Sequence, residues 1–169
     1  MSTPKAVFIA LVALAVAQAI FYYPQLPGTV ASHFDGAGQP NGWSSKAVFF
    51  GVMFGMMAMM GLVFLGIPKA ISRVPDNIIS LPYRDHWLAK ERRDETMRFI
   101  ASQLSWFGVA TLLLMVATTQ FTIDANLRNR PELPTKFMWA FWAYMGFSAA
   151  WTVHFIGHFC IVRKQLSTA

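Results

Sequence analysis

The chain has 169 residues, which is enough for one domain. Charged residues make up only 13% of it, against roughly 25% in soluble domains, and hydrophobic residues make up 55%, so the composition argues against a soluble protein. The net charge of +6 comes from basic residues that lie between apolar runs. That placement indicates membrane topology and argues against nucleic acid as a partner.

Four apolar segments are each close to or above the roughly 20 helical residues that cross a hydrocarbon core about 30 Å thick. They cover residues 6–23, 47–67, 99–121 and 137–162, and none has a charged residue in its interior. Backbone that faces lipid must satisfy its own hydrogen bonds, so we expect all four to be helices. The sequence therefore predicts an all-α integral membrane bundle of four transmembrane helices, forming one domain over residues 1–169, with the lipid bilayer as its partner.

The orientation follows from the lysines and arginines. Ten of the 14 lie at the N-terminus, in the loop 68–98 or in the tail, and four lie in the other two loops. Basic residues concentrate on the cytoplasmic side of a membrane protein. We therefore expect a cell-membrane protein with cytoplasmic N- and C-termini and a cytoplasmic loop 68–98. From Leu88 this loop becomes helical in composition, which predicts a third helix that extends two or three turns into the cytoplasm.

The first outer loop, residues 24–46, is dense in glycine and proline, which favours defined turns. Residues 40–42 suit a turn that returns the chain to the membrane at Trp43, and His33 and Asp35 are candidates for a hydrogen bond across that turn. We interpret the loop as a structural cap on the outer end of the bundle, with a ligand or metal site at His33 and Asp35 as the alternative. Its motif consists of His33, Phe34, Asp35, Gly36, Gly38, Pro40, Gly42, Trp43 and Lys46.

This loop resembles the hallmark of a bacterial and archaeal membrane domain of unknown function found at the N-terminus of SdpI-type immunity and signalling proteins. In that domain a loop like LP…HFDGxGxPxGWxSK lies between two membrane helices, and nearly all of it is present between Leu26 and Lys46. The resemblance covers about the first 70 residues, and residues 83–93 are similar to the segment that comes after this domain in short relatives. It implies a non-enzymatic binding, signalling or immunity-like protein whose outer loop meets a peptide, toxin, lipid or partner membrane protein.

Polar side chains in the predicted spans offer little chemistry. Apart from His154 and His158, the spans hold no carboxylate or basic side chain, which argues against ion- or proton-coupled transport. His154 and His158 are four residues apart and share one face of the fourth helix, where we expect packing residues and no cofactor. The alternative is an accessory subunit of a membrane complex, or a metal- or haem-handling protein that uses His154 and His158 with His86 as a third ligand.

Two further alternatives stay open at this stage. Five methionines of the second segment suit either Cu(I) or ordinary packing, and we expect packing. The basic segment 90–98 is the one feature that favours an enzyme acting on lipid at the cytoplasmic face. The sequence leaves an oligomer open.

Overall fold

The computed structural model describes residues 3–128 and 130–160, without the side chains of residues 65, 67–69 and 72. Five α-helices and one pair of strands follow one another in the order α1 Thr3–Tyr22, β1 Thr29–Phe34, β2 Pro40–Ser45, α2 Lys46–Ala70, α3 Arg84–Trp87, α4 Arg93–Asn126 and α5 Thr135–Cys160. Two 3₁₀ turns, Ile71–Arg73 and Asp76–Ile78, lie between α2 and α3. The described chain is therefore mostly helical.

Three of these helices are long and apolar enough to cross a membrane: α1, the Lys46–Phe64 part of α2, and α4. Large apolar side chains such as Ile20 and Leu62 are exposed on them, as lipid-facing residues are. The predicted fourth span corresponds to α5, which is long enough at 26 residues. Its aromatic and histidine residues lower its mean hydropathy, so α5 is not among the helices that are apolar enough to cross a membrane by this measure.

The long helix α4 is the centre of the bundle, because it packs against α1, α2 and α5. One face of α4 is buried against α1 and α2 through Leu112, Val116 and Ile123. At Gly108 a Cβ atom would lie 2.4 Å from the ring of Phe64, so only glycine lets α4 approach α2 this closely. A second cluster, around Phe159 of α5, packs the start of α4 against the segment before it.

The structure of the loop 24–46 corrects the all-α prediction. Strands β1 and β2 form an antiparallel two-stranded sheet, paired from Thr29↔Ser45 to Ala31↔Trp43, with an irregular register beyond Ala31. Residues 40–42 therefore belong to a strand and not to a turn. The turn lies at residues 35–38, where the Asp35 carboxylate accepts hydrogen bonds from the backbone N–H groups of Ala37 and Gln39, both at 2.9 Å. An aspartate that binds the backbone just after itself is a strong turn former.

Two helix boundaries also differ from prediction. The helix α4 begins at Arg93 and not at Leu88, because residues 88–92 form turns. It continues to Asn126, beyond the predicted end at residue 121. Thr122, Ile123 and Asn126 are buried in the fold, and their packing stabilises the additional helical turn. The predicted end of the fourth segment at residue 162, with the basic tail used for orientation, lies outside the described residues.

Candidate functional site

A cleft of about 470 Å³ lies beneath the hairpin, between α2 and α4. We call it the hairpin cleft. Its hairpin end is formed by Ser32, His33 and Ser44. Its α2 wall consists of Val48, Phe49, Val52, Met53, Met56 and Met60, and its α4 wall of Thr111, Leu114, Met115, Thr118 and Thr119. The cleft is thus polar at one end and mainly apolar along both walls.

The hairpin is fixed to α4 by the amide side chain of Asn126. Its Oδ1 accepts a hydrogen bond from the N–H of Ala31 at 2.7 Å, and its Nδ2 donates to the carbonyl oxygen of Ala31 at 2.9 Å. Both main-chain groups of one strand residue are satisfied, as a neighbouring strand would satisfy them. Ala31 is fully buried, and Asn126 is 7% exposed. The amide therefore closes the free edge of β1 at this residue, away from water.

The motif residue Lys46 joins the two ends of the loop. Its ammonium group donates hydrogen bonds to the carbonyl oxygens of Tyr23, at 2.9 Å, and Leu26, at 3.0 Å, and lies 4.7 Å from the centre of the Tyr23 ring. These carbonyls follow the C-terminus of α1, where a cation is electrostatically favourable. Lys46 therefore holds the start of α2 against the end of α1 and has a structural role.

Gly38 brings the loop 24–46 and the loop between α4 and α5 together. Its backbone has φ +81°, which is the left-handed region, and its carbonyl oxygen accepts a hydrogen bond from the N–H of Leu133 at 3.0 Å. A Cβ atom at Gly38 would lie 3.0 Å from the Leu133 carbonyl oxygen. Both the conformation and the close approach require glycine here.

His33 is the motif residue that reaches the cleft. Its Nδ1 lies 3.2 Å from the Ser32 hydroxyl oxygen, and its side chain covers Gly42, where a Cβ atom would lie 3.0 Å from the Cβ of His33. The candidate hydrogen bond between His33 and Asp35 is not formed, and the Asp35 carboxylate binds the turn backbone instead. Ser44, on the paired strand, has a buried hydroxyl oxygen without a partner in the described part of the chain. The polar end of the cleft thus has hydrogen-bonding capacity to offer a ligand.

The other motif residues lie outside the cleft lining. Trp43 is 55% exposed on β2, Phe34 and Pro40 are half-buried, and Gly36 faces open space. Asp35 forms the turn described above. Most motif residues therefore have a structural role in the hairpin. The sequence pattern does not separate them from His33, the motif residue that lines the cleft.

The walls of the cleft are rich in methionine and weakly polar. Met53, Met56 and Met60 line it from α2, so three of the five methionines face this space, and Met57 is in the core. The hydroxyl of Thr119 donates to the carbonyl oxygen of Met115 at 2.9 Å and contacts the sulfur of Met53 at 3.1 Å. Methionine side chains adapt readily to ligands of different shape. Besides the packing role that we expect of the methionines, Met53, Met56 and Met60 therefore also line the cleft.

A polar chain missed by sequence reasoning links α1 to α4. Gln18 Nε2 donates to Gln120 Oε1 at 2.8 Å, and Gln120 Nε2 donates to Asp124 Oδ1 at 2.7 Å. Side-chain hydrogen bonds of this kind hold membrane helices together. The predicted span ends at residue 121, which leaves Asp124 in a loop. Its spacing of four residues from Gln120 is the signal that would have placed both on one helix face.

The histidines of the alternative metal site are not brought together. His158 stacks on Phe99, with ring centres 3.9 Å apart, whereas His154 is exposed one turn away on α5. His86 contacts the guanidinium of Arg92. Within residues 3–128 and 130–160 there is no group of three or more histidine, cysteine or acidic side chains arranged to hold a metal ion.

Comparison with known proteins identifies one part of the chain. No curated protein and no solved structure gives a significant match. Residues 9–60 match the model of a family described as "Domain of unknown function (DUF1648)". The matched region runs from α1 through the hairpin into α2, so it contains the motif loop and the α2 wall of the hairpin cleft as far as Met60.

Proposed function

We propose that the protein is a non-enzymatic membrane binding protein, of the immunity or signalling kind, that takes up a ligand in the hairpin cleft. The cleft volume of about 470 Å³ falls within the range of roughly 300–1,000 Å³ that is usual for ligand sites. Apolar walls with a few polar groups at one end are also typical of such sites. The observation that carries the proposal is that the motif histidine, His33, lines this cleft.

The proposal includes four spans in a cell membrane, with α5 as the fourth. At about 1.5 Å per residue, its 26 residues extend for about 39 Å, more than a hydrocarbon core of about 30 Å requires. Apart from Lys136 near its start and His154, its exposed large residues are apolar, among them Trp139, Val153 and Ile156. The charge distribution supports cytoplasmic termini with the hairpin outside, so a ligand would reach the cleft from the outer side or from the outer leaflet.

Labelling of single cysteines tests this orientation after Cys160 is replaced by serine. Cysteines at Ala37 and Arg128, both exposed near the hairpin end of the bundle, should react with an impermeant thiol reagent in intact cells. A cysteine at Asp76, also exposed, should react only after lysis. Ala37 is preferable to Gly38, where any side chain would be strained. The opposite labelling pattern would refute the orientation.

Photo-crosslinking in native membranes tests the binding site. A diazirine amino acid at Val52, which lines the cleft and is 57% exposed, should give a discrete product. The same amino acid at Met59, which is 58% exposed on α2 but outside the cleft, is the matched control. A product that is absent or much weaker at Met59 than at Val52 supports a specific ligand, which mass spectrometry then assigns to lipid, peptide or protein. Equal yields of the same product at both positions would refute a binding site in the cleft.

A further inference from the structure

We propose that the hairpin cleft holds one phospholipid of the outer leaflet, with an acyl chain between α2 and α4 and its phosphate and ester groups at the hairpin end. This inference rests on the proposed function and names the class of its ligand. It begins from the position of the cleft. Both walls belong to helices that are long and apolar enough to cross a membrane, and the hairpin joins the ends of α1 and α2. In a bilayer, an apolar space between such helices is in contact with hydrocarbon.

The length of the cleft fits one leaflet. Its α2 wall runs from Val48 to Met60, which at about 1.5 Å per residue is about 18 Å. Half of a hydrocarbon core about 30 Å thick is about 15 Å. An acyl chain that starts at the hairpin would therefore lie along the apolar wall for the depth of one leaflet. The methionine side chains of this wall, Met53, Met56 and Met60, can adapt to a flexible chain.

The polar end suits the phosphate and ester region of a lipid. It presents the hydroxyl groups of Ser32 and Ser44 and the ring of His33, and the described lining contains no acidic side chain that would repel a phosphate. The Ser44 hydroxyl oxygen is buried without a partner in the described structure, and such a group gains a hydrogen bond when a ligand oxygen arrives. His33 contacts Ser32 through Nδ1, which leaves Nε2 as the ring nitrogen for a ligand.

The test uses the full-length protein, purified in mild detergent, washed free of lipid and titrated with palmitoyl-oleoyl-phosphatidylglycerol in native mass spectrometry. We expect one equivalent to bind before all others. Met56→Trp, which places a ring in the cleft, should weaken the binding of that equivalent at least about tenfold, as overpacking of a fitted site does. Met59→Trp, on the same helix but outside the cleft, should change it by less than about twofold. Val52→Phe is the second cleft variant if Met56→Trp does not fold.

The polar end has its own readout. The wild type should bind the phospholipid more tightly than diacylglycerol, which lacks the phosphate, and the double variant His33→Ala, Ser44→Ala should lose that preference. Absence of a first equivalent, or equal effects of Met56→Trp and Met59→Trp, would overturn the lipid assignment. A peptide or protein crosslinked from Val52, with no phospholipid bound, would leave the binding function standing and refute the lipid. Failure of both experiments would refute both proposals.

Discussion

Replacing Asn126 with alanine tests whether one amide fixes the hairpin over the cleft. The substitution removes the hydrogen bonds to the N–H and carbonyl oxygen of Ala31, 2.7 and 2.9 Å long, in a site where Ala31 is fully buried. Each buried main-chain group left without a partner costs about 1–3 kcal/mol. Since the hairpin can shift to admit water, we expect the free energy of unfolding to fall by about 2–4 kcal/mol.

Thermal unfolding in detergent, followed by circular dichroism, measures this loss, and hydrogen exchange of residues 29–34 reports on β1 directly. The matched control is Asn41→Ala, because Asn41 is an exposed asparagine of the same hairpin. Asn126→Asp keeps the acceptor for the Ala31 N–H but places a second acceptor against the Ala31 carbonyl, so it should be destabilised to a similar extent. If Asn126→Ala unfolds within about 0.5 kcal/mol of Asn41→Ala, the hairpin is held by other contacts and the reasoning fails.

Three further substitutions probe the same architecture by thermal unfolding. Gly38→Ala should lower the free energy of unfolding by about 1–3 kcal/mol, because Gly38 has a positive φ. Gly36 faces open space, so Gly36→Ala should lower it by less than about 1 kcal/mol, and equal losses would contradict this reasoning. Lys46→Met should lower stability by about 1–3 kcal/mol through the loss of two charged hydrogen bonds, and an unchanged melting temperature would exclude that role. His158→Leu should cost about 1 kcal/mol through lost stacking, and the exposed His154→Leu almost nothing; the reverse order would refute the packing assignment.

The apolar segments were predictable because hydrophobicity is a local property of the sequence. Three of them correspond to helices that can cross a membrane, and the fourth to the helix α5. The strands were not predictable in the same way. The loop contains few β-branched residues, its glycines and prolines indicated turns, and its register is irregular beyond Ala31. Strand β1 is stabilised by Asn126, 95 residues away in the chain, and no local pattern contains that contact.

The role of Lys46 was more accessible to sequence reasoning. A lysine at the start of α2 is unfavourable for the dipole of its own helix, which indicates a partner elsewhere, and the C-terminus of α1 is the nearest one along the chain. The cleft is different in kind. It depends on how α2 and α4 pack, and Gly108 sets how closely they approach at Phe64. The sequence around Gly108 does not show whether this glycine contacts another helix.

Most residues of the motif form the hairpin, and few line the cleft. This explains why the motif is specific in sequence although it defines little of the proposed ligand site. Asp35, Gly38 and Lys46 form contacts with the backbone of the loop or its neighbours, so their identities are fixed by the hairpin. The cleft, where we propose that a ligand binds, is instead lined by His33 and the two helix walls. The match over residues 9–60 includes the hairpin and the α2 wall, but the α4 wall lies beyond it. We therefore expect proteins that share only this region to form the same hairpin. They should differ in ligand according to the helix that packs opposite α2.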